Sequence, residues 1–199
     1  MKIFLELTKI NISLLVIVTC YIGYYLGLRT MGLKMVELQS IITFSFLISG
    51  TFFSSSGAGV LNQFIERKYD ALMNRTKNRP IPSKKVSPQS ALILGILFSI
   101  LGPSILYIFV NSLTAIISLS TILIYLFIYT PSKRYTSFNT IIGSIPGALP
   151  PLGGWAAATG SLSLEAWMLF GILFCWQIPH FLSLAIIYKE DYKLGGFKM

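Results

Sequence analysis

Acidic residues, histidine and cysteine are all scarce in this sequence. Among 199 residues there are seven Asp and Glu, one histidine and two cysteines. Both cysteines lie inside long apolar runs, where cysteine acts as a small apolar residue rather than as part of a disulfide or a metal pair. Charged residues of either sign make up only 12% of the chain, about half the share that is typical of a soluble domain. This composition argues that water is not the main solvent of the protein.

Long apolar runs take the place of the missing charge. Hydrophobic residues make up 54% of the chain and the mean hydropathy is +0.71. Crossing a bilayer core takes about 20 apolar residues, and runs of about this length cover residues 10–28, 38–53, 91–110, 113–129 and 164–187. A Gly/Pro-rich stretch, residues 141–158, adds a sixth span. We therefore expect an all-α fold, a polytopic transmembrane helical bundle, with residues 1–199 forming a single membrane domain.

Basic residues are distributed unevenly along the chain, which predicts its orientation. The net charge of +9 comes from 16 Lys and Arg residues. In a membrane protein such a balance signals topology rather than nucleic-acid binding, and the positive side faces the cytoplasm. An N-terminus in the cytoplasm places fourteen of the sixteen on that side: Lys2, Lys9, seven between Arg67 and Lys85, Lys133, Arg134, Lys189, Lys193 and Lys198. We therefore predict an N-in orientation, with the functional site at the cytoplasmic or matrix face.

The few acidic residues recur after two spans. Glu66 and Asp70 follow the second span, and Glu190 and Asp191 follow the sixth. The offset of four spans suggests two four-helix units, each ending in an acidic loop. The second unit is short, so we expect the chain to be a C-terminally truncated version of a longer protein.

A polar face follows the second span. If the helix continues through this stretch, Asn62, Glu66 and Asp70 lie at i, i+4 and i+8 and share one side of it. Mg²⁺ prefers hard oxygen ligands and binds through one or two carboxylates together with substrate phosphates. The pattern therefore predicts a site for a metal-bound diphosphate.

Basic residues follow this face in the sequence. Arg75 and Arg79 are again four residues apart and are candidates for bidentate contacts to diphosphate oxygens. We expect Pro80 and Pro82 to end the helix after them. The alternative is a solvated loop whose basic residues only set topology.

The stretch from Asn62 to Pro82 resembles the first polar motif, Asn-Asp-x-x-x-Asp-x-x-x-Asp or a variant, of the intramembrane aromatic (UbiA-type) prenyltransferase superfamily. Three later groups of residues are similar to the haem O synthase (protohaem IX farnesyltransferase) branch: residues 129–136 with Asn139; Gly143, residues 147–152, Gly154 and Trp155; and residues 176–181, residues 188–192 and Gly195. Gln63 and Glu66 stand where many members of the superfamily have Asp, and the second acidic motif is reduced to Glu190 and Asp191. The family has about nine spans, of which six are visible here.

The resemblance implies a set of site residues. Asn62, Glu66, Asp70 and Asp191 are the expected catalytic and Mg²⁺-binding residues. Expected substrate contacts are Arg75, Arg79, Lys133, Arg134, His180 and Glu190. His180, the single histidine, is a candidate contact to haem.

The implied reaction transfers a farnesyl group from farnesyl diphosphate to the vinyl group of haem B, giving haem O and diphosphate. The resemblance also implies a bacterial cytoplasmic or mitochondrial inner membrane location, association with haem A synthase or terminal oxidase assembly, and no nucleic-acid partner. A quinone-type prenyltransferase, a membrane transporter and an inactive fragment are the alternatives. The stretch from Trp176 to His180 argues against the quinone type, and charges at one face rather than at the midplane argue against a transporter.

Overall fold

A computed structural model describes residues 2–198, and all regular secondary structure in that range is helical. The elements are α1 (Lys2–Leu7), α2 (Ile10–Thr30), α3 (Leu38–Asp70), α4 (Pro88–Phe109), α5 (Ser112–Leu123), a π-helix (Ile124–Tyr129), α6 (Thr130–Tyr135), α7 (Asn139–Thr159), α8 (Leu164–Ile187) and α9 (Lys189–Leu194). The predicted all-α transmembrane bundle is confirmed.

Within residues 2–198, five helical segments are long and apolar enough to cross a membrane: α2, α3, α4, α8 and the continuous segment Ser112–Tyr135, which contains α5, the π-helix and α6. The remaining long helix, α7, has 21 residues and coincides with the sixth expected span. Large apolar side chains are exposed along these helices, for example Leu15, Ile100 and Ile172. Such surfaces suit a lipid environment, and the chain is an integral, multi-pass membrane protein.

The Gly/Pro-rich helix α7 is the most buried of the long helices and packs against α2, α5 and α8. Pro146, Pro150 and Pro151 each lack a backbone N–H group and so interrupt its hydrogen bonds, but the helical path continues through all three. The neighbouring helices hold that path in place. A Cβ atom on Gly154 would overlap the carbonyl oxygen of Cys20 on α2. Small residues therefore serve close helix packing here.

The longest helix, α3, brings polar residues to one end of the bundle. Its 33 residues correspond to about 50 Å, and its apolar part packs mainly against α4 and α2. The helix continues to Asp70, as the polar-face prediction requires.

The prediction that this helix extends to Pro80 is wrong. It ends at Asp70, and the chain folds back over its end. The Thr76 hydroxyl donates to the Asp70 carbonyl oxygen at 2.8 Å, and Arg79 reaches the Asp70 carboxylate. These bonds give the polar groups of Asp70, the last helical residue, partners from the loop, so no proline is needed to end the helix.

Candidate functional site

The C-terminal end of α3 carries a buried polar face. Asn62 is 1% exposed, Glu66 6% and Asp70 0%. Four helical residues rise about 6 Å, so the three side chains are stacked along one side of the helix. The predicted alignment is therefore present, and it points into the protein rather than into solvent.

Each member of this face bonds to a cationic side chain from another part of the chain. The bonds join Lys9 Nζ to Asn62 Oδ1 at 2.9 Å, Lys133 Nζ to Glu66 Oε1 at 2.9 Å, and Arg79 Nη1 to Asp70 Oδ2 at 2.8 Å. Ionisable groups buried at a span end mark functional sites in membrane proteins. We call these six residues the charged cluster.

Lys9 is a member of the charged cluster that sequence reasoning missed, because it was interpreted only as a topology signal. It lies at the corner between α1 and α2 with φ 51° and ψ 49°, a left-handed conformation that is costly for a residue with a side chain. Burial, followed by repulsion from Arg79, lowers the pKa of Lys9 to about 7. The available signal was its position at the end of a span, directly before the apolar run of α2. Glu66 likewise lies at the end of a span, near the C-terminus of α3.

The corner that carries Lys9 is held by the neighbour of Asn62. Gln63 is 1% exposed, and its Nε2 donates to the Leu7 carbonyl oxygen at 2.7 Å. That carbonyl lies at the end of α1, where helical carbonyls lack an intrahelical partner. Gln63 therefore supports the placement of Lys9, whereas Asn62 receives its ammonium.

Lys133 and Arg134 lie in different environments, although the resemblance implies the same role, substrate contact, for both. The Lys133 side chain is 13% exposed; its Nζ bonds Glu66 and lies 4.5 Å from the centroid of the Tyr129 ring. Arg134 is exposed, with its guanidinium 4.4 Å from the Tyr69 ring. Lys133 belongs to the charged cluster, and Arg134 lies beside it at the surface.

Arg75 and Arg79 do not share a helical face, because both lie in the loop after α3. Arg79 folds back onto Asp70, and its Nη1 is 2.8 and 2.9 Å from the two carboxylate oxygens. Arg75 is exposed and lies over the Tyr188 ring at 4.6 Å, with its Nη2 donating to the Tyr192 hydroxyl at 3.3 Å. The loop after α3 is thereby connected to the segment after α8.

The second acidic motif lies against the same loop. The two carboxylate oxygens of Asp191 accept from the backbone N–H groups of Asn74 and Arg75 at 3.2 and 3.0 Å. Glu190 is exposed, and its carboxylate forms no hydrogen bond or ion pair within residues 2–198. Metal binding by Asp191 and substrate binding by Glu190 remain predictions, whereas the joining of the two acidic loops is observed.

His180 lies on the exposed side of α8. Its ring stacks on Trp176 with centroids 5.0 Å apart and an interplanar angle of 12°. Its neighbour Phe181 stacks on Tyr129 at 6.5 Å, and Tyr129 in turn lies under Lys133. The histidine is therefore connected to the charged cluster through two aromatic rings, without touching it.

The donor set fits a hard cation that is shared with a phosphate group. In the described part of the chain, residues 2–198, no three His, Cys, Asp or Glu side chains gather into a metal site of their own. The charged cluster offers one amide oxygen and two carboxylates, and each of them already faces positive charge. Mg²⁺ commonly binds with this number of carboxylates when phosphate supplies the remaining ligands. Asn62, Glu66 and Asp70 are the residues that would hold it.

The chain is similar over its whole length to curated proteins. The chain is 45% identical over 201 residues to a protein from Solibacter usitatus named protoheme IX farnesyltransferase, covering 100% of the chain and 69% of that protein. The chain spans between 64% and 69% of the length of the first three curated relatives it matches.

Solved structures share the fold. One, from work on the biosynthesis of digeranylgeranylglyceryl phosphate synthase in membranes, matches with a TM-score of 0.76 and 21% identity over 98% of this chain and 66% of that chain. Another, a UbiA homolog from Archaeoglobus fulgidus bound to GPP and Mg²⁺, matches with a TM-score of 0.70 and 17% identity over 98% and 67%. The sequence profile of the UbiA prenyltransferase family matches residues 12–199. The chain belongs to the UbiA prenyltransferase family.

Proposed function

We propose that this protein transfers a farnesyl group from farnesyl diphosphate to the vinyl group of haem B, giving haem O and diphosphate. The observation that carries the proposal is the 45% identity, over the whole chain, to a protein named for farnesyl transfer to protohaem IX. The charged cluster supports the diphosphate half of the reaction. Family membership favours an enzyme over the transporter alternative.

The charged cluster is suited to the departing diphosphate. Its three cations face two carboxylates, which leaves one positive charge over when Lys9 is protonated. When bound by Asn62, Glu66 and Asp70, Mg²⁺ supplies further positive charge for the leaving group. A diphosphate anion drawn to this place would meet fixed donors in a site largely screened from water, where electrostatic stabilisation is strongest. Lys133 and Arg79 are the cations best placed to bind the diphosphate.

The chemical step breaks the allylic C–O bond of farnesyl diphosphate, and the electron pair leaves with diphosphate. The π electrons of the haem vinyl group form the new C–C bond, and water adds to the resulting cation and loses a proton. Basic side chains stabilise the leaving group, while the apolar helices shelter the allylic cation from early capture by water. This balance needs no oxidant or reductant.

His180 is proposed as the haem contact. Its imidazole forms no hydrogen bond within residues 2–198, so both ring nitrogens are free of protein partners in this range. The stacked pair of Trp176 and His180 offers an exposed flat aromatic surface, and the path through Phe181 to Tyr129 leads toward the charged cluster. Histidine is a common haem ligand, so either axial ligation or contact to a propionate fits the position.

We also propose that the N-terminus and the charged cluster face the cytoplasm or the mitochondrial matrix. The support is the bias of fourteen in sixteen basic residues. Lys9, the end of α3 and the end of the fourth span meet in the charged cluster, so these three segments lie at one end of the bundle. Association with haem A synthase or with terminal oxidase assembly is part of the proposal.

Product analysis tests the reaction. Membranes containing the complete gene product are incubated with haem B, farnesyl diphosphate and Mg²⁺, and haem O is measured by mass spectrometry. The wild type should form haem O, whereas Glu66→Ala and Asp70→Ala should not, although both insert into the membrane. Near-normal turnover of both variants at saturating Mg²⁺ would refute the assigned site, and a wild type that prenylates only quinone precursors would refute the assigned acceptor.

Two titrations test the role of His180. In His180→Ala, haem B binding should weaken, with a changed Soret band if the histidine is an axial ligand. Binding of a non-reactive farnesyl diphosphate analogue should persist, because the charged cluster is intact. Unchanged haem affinity and spectrum in a folded variant would remove His180 from the site.

A further inference from the structure

The fourth span changes its helical geometry beside the charged cluster. Residues Ile124–Tyr129 form a π-helix between α5 and α6. A π-turn inside an α-helix is rare and is frequently found at functional sites. Directly after it lies Thr130, which is 3% exposed and which the proposed mechanism does not use.

Thr130 connects the π-helix to Asn62. The Tyr125 carbonyl oxygen accepts from both the backbone N–H of Thr130 and its hydroxyl, the latter at 2.8 Å. In a regular α-helix a threonine hydroxyl reaches the carbonyl three or four residues back, but here it reaches five back. The Asn62 Nδ2 atom donates to the same hydroxyl oxygen at 3.1 Å.

These bonds determine which way the Asn62 amide faces. A carbonyl oxygen can only accept, so the single hydroxyl hydrogen of Thr130 is committed to Tyr125. The hydroxyl then has only lone pairs to offer to Asn62, and the amide must turn its NH₂ group toward Thr130. Its Oδ1 atom consequently faces the opposite way, toward the Lys9 ammonium.

We infer that Thr130 is a positioning residue that fixes Asn62 with its oxygen directed into the site, so that Asn62 acts as an oxygen ligand rather than as an N–H donor. The inference rests on the proposed function of Asn62 in binding a metal-diphosphate. Lys9 holds the same oxygen from the other side, but it must release that oxygen before a cation can bind there. Thr130 is then the remaining constraint on the amide.

The orientation of Asn62 matters because an asparagine side chain carries both an oxygen acceptor and an NH₂ donor. An amide rotated by half a turn presents NH₂ to the cation, which repels it, whereas a carboxylate presents an oxygen in either orientation. Groups that orient a metal ligand typically change metal affinity or activity by about 10–100-fold when they are removed. The inference thus predicts a measurable effect from a residue that touches neither substrate nor metal.

The test compares Thr130→Val, which keeps the side-chain shape but removes the hydroxyl, with Thr130→Ser, which keeps the hydroxyl. Binding of a non-hydrolysable farnesyl thiodiphosphate to the purified complete protein is titrated calorimetrically at several Mg²⁺ concentrations. Thr130→Val should raise the Mg²⁺ concentration needed for half-maximal binding by about tenfold or more, whereas Thr130→Ser should stay near the wild type. Thermal unfolding of each variant reports separately on folding.

A second comparison separates orientation from general packing. Introducing Asn62→Asp makes the orientation of the ligand irrelevant, so Thr130→Val should lose most of its effect on the Mg²⁺ requirement in that background. An equal loss in both backgrounds would assign Thr130 to packing and overturn the inference. So would a wild-type Mg²⁺ requirement in folded Thr130→Val. Failure of the wild type to bind the analogue with Mg²⁺ would instead overturn the proposed function, which keeps the two outcomes distinct.

Discussion

Replacing Lys133 with methionine tests whether this lysine belongs to a buried site or only marks topology. Its Nζ lies 2.9 Å from Glu66 Oε1, and the two side chains are 13% and 7% exposed. Removing one partner of a buried pair costs about 3–5 kcal/mol, because the remaining charge is left uncompensated. Lys133→Met should therefore lower the free energy of unfolding by an amount in this range.

Arg134→Met is the matched control, since it removes a positive charge one residue away. Arg134 is exposed, and its guanidinium lies 4.4 Å from the Tyr69 ring. An exposed cation–π contact is worth about 0.5–1 kcal/mol. The two variants carry the same net charge, so any difference between them reports on burial rather than on topology.

The assay is unfolding in mixed micelles with increasing denaturing detergent, followed by tryptophan fluorescence. Adding Glu66→Gln to Lys133→Met removes the orphaned charge, so much of the stability should return, whereas diphosphate binding should not. Equal destabilisation by Lys133→Met and Arg134→Met, or no recovery in the double variant, would refute the buried-pair reasoning.

Three further predictions follow from other parts of the chain. Gly154→Ala should destabilise the bundle by more than about 1 kcal/mol in the detergent unfolding assay, because the new Cβ atom would overlap the Cys20 carbonyl oxygen. The control is Gly171→Ala on α8, whose Cβ atom would meet no atom within 4 Å, so this variant should be neutral or stabilising. Asp191→Ala should loosen the two acidic loops by freeing the N–H groups of Asn74 and Arg75, seen as faster proteolysis between residues 71 and 87 with the spans intact; unchanged cleavage would show that the bonds do not hold the loops. A cysteine at Ser83 should resist an impermeant thiol reagent in intact cells and one at Ser161 should react, and the reverse pattern would contradict the N-in orientation.

Helical periodicity was sufficient to predict the polar face. The positions of Asn62, Glu66 and Asp70 depend only on the continuation of one helix, which is a local property. The fold class followed from apolar runs for the same reason. The Gly/Pro-rich stretch of residues 141–158, expected as a sixth span, does form one continuous helix, α7, but α7 is not among the five segments of residues 2–198 that are long and apolar enough to cross a membrane.

Contacts between distant segments could not be predicted in this way. Lys9 meets Asn62 across 53 residues of sequence, and Lys133 meets Glu66 across 67. The end of α3 was misplaced because proline was taken as the stop signal, whereas Arg79 and Thr76 end the helix through bonds to Asp70. Residue spacing along the chain also gave no reason to choose Lys133 over Arg134.

The role of Thr130 was hidden for a further reason. Its hydroxyl bonds to a carbonyl oxygen of the π-helix. The residue pattern of this segment does not predict that its hydrogen bonds span five residues instead of four. The effect appears only when the hydrogen-bond direction of each group is considered.

The most direct test of the account measures whether the polar face of α3 holds a metal-bound diphosphate. Binding of farnesyl thiodiphosphate to the complete protein is titrated with and without Mg²⁺ for the wild type, Glu66→Gln, Asp70→Asn and Glu37→Gln. Glu37 is the control, because it is a carboxylate preceding the opposite end of the same helix. We expect Mg²⁺-dependent binding that weakens by at least about tenfold, or about 1.4 kcal/mol, in Glu66→Gln and Asp70→Asn and is unchanged in Glu37→Gln. Equal Mg²⁺-dependent affinity in all four proteins would contradict this expectation.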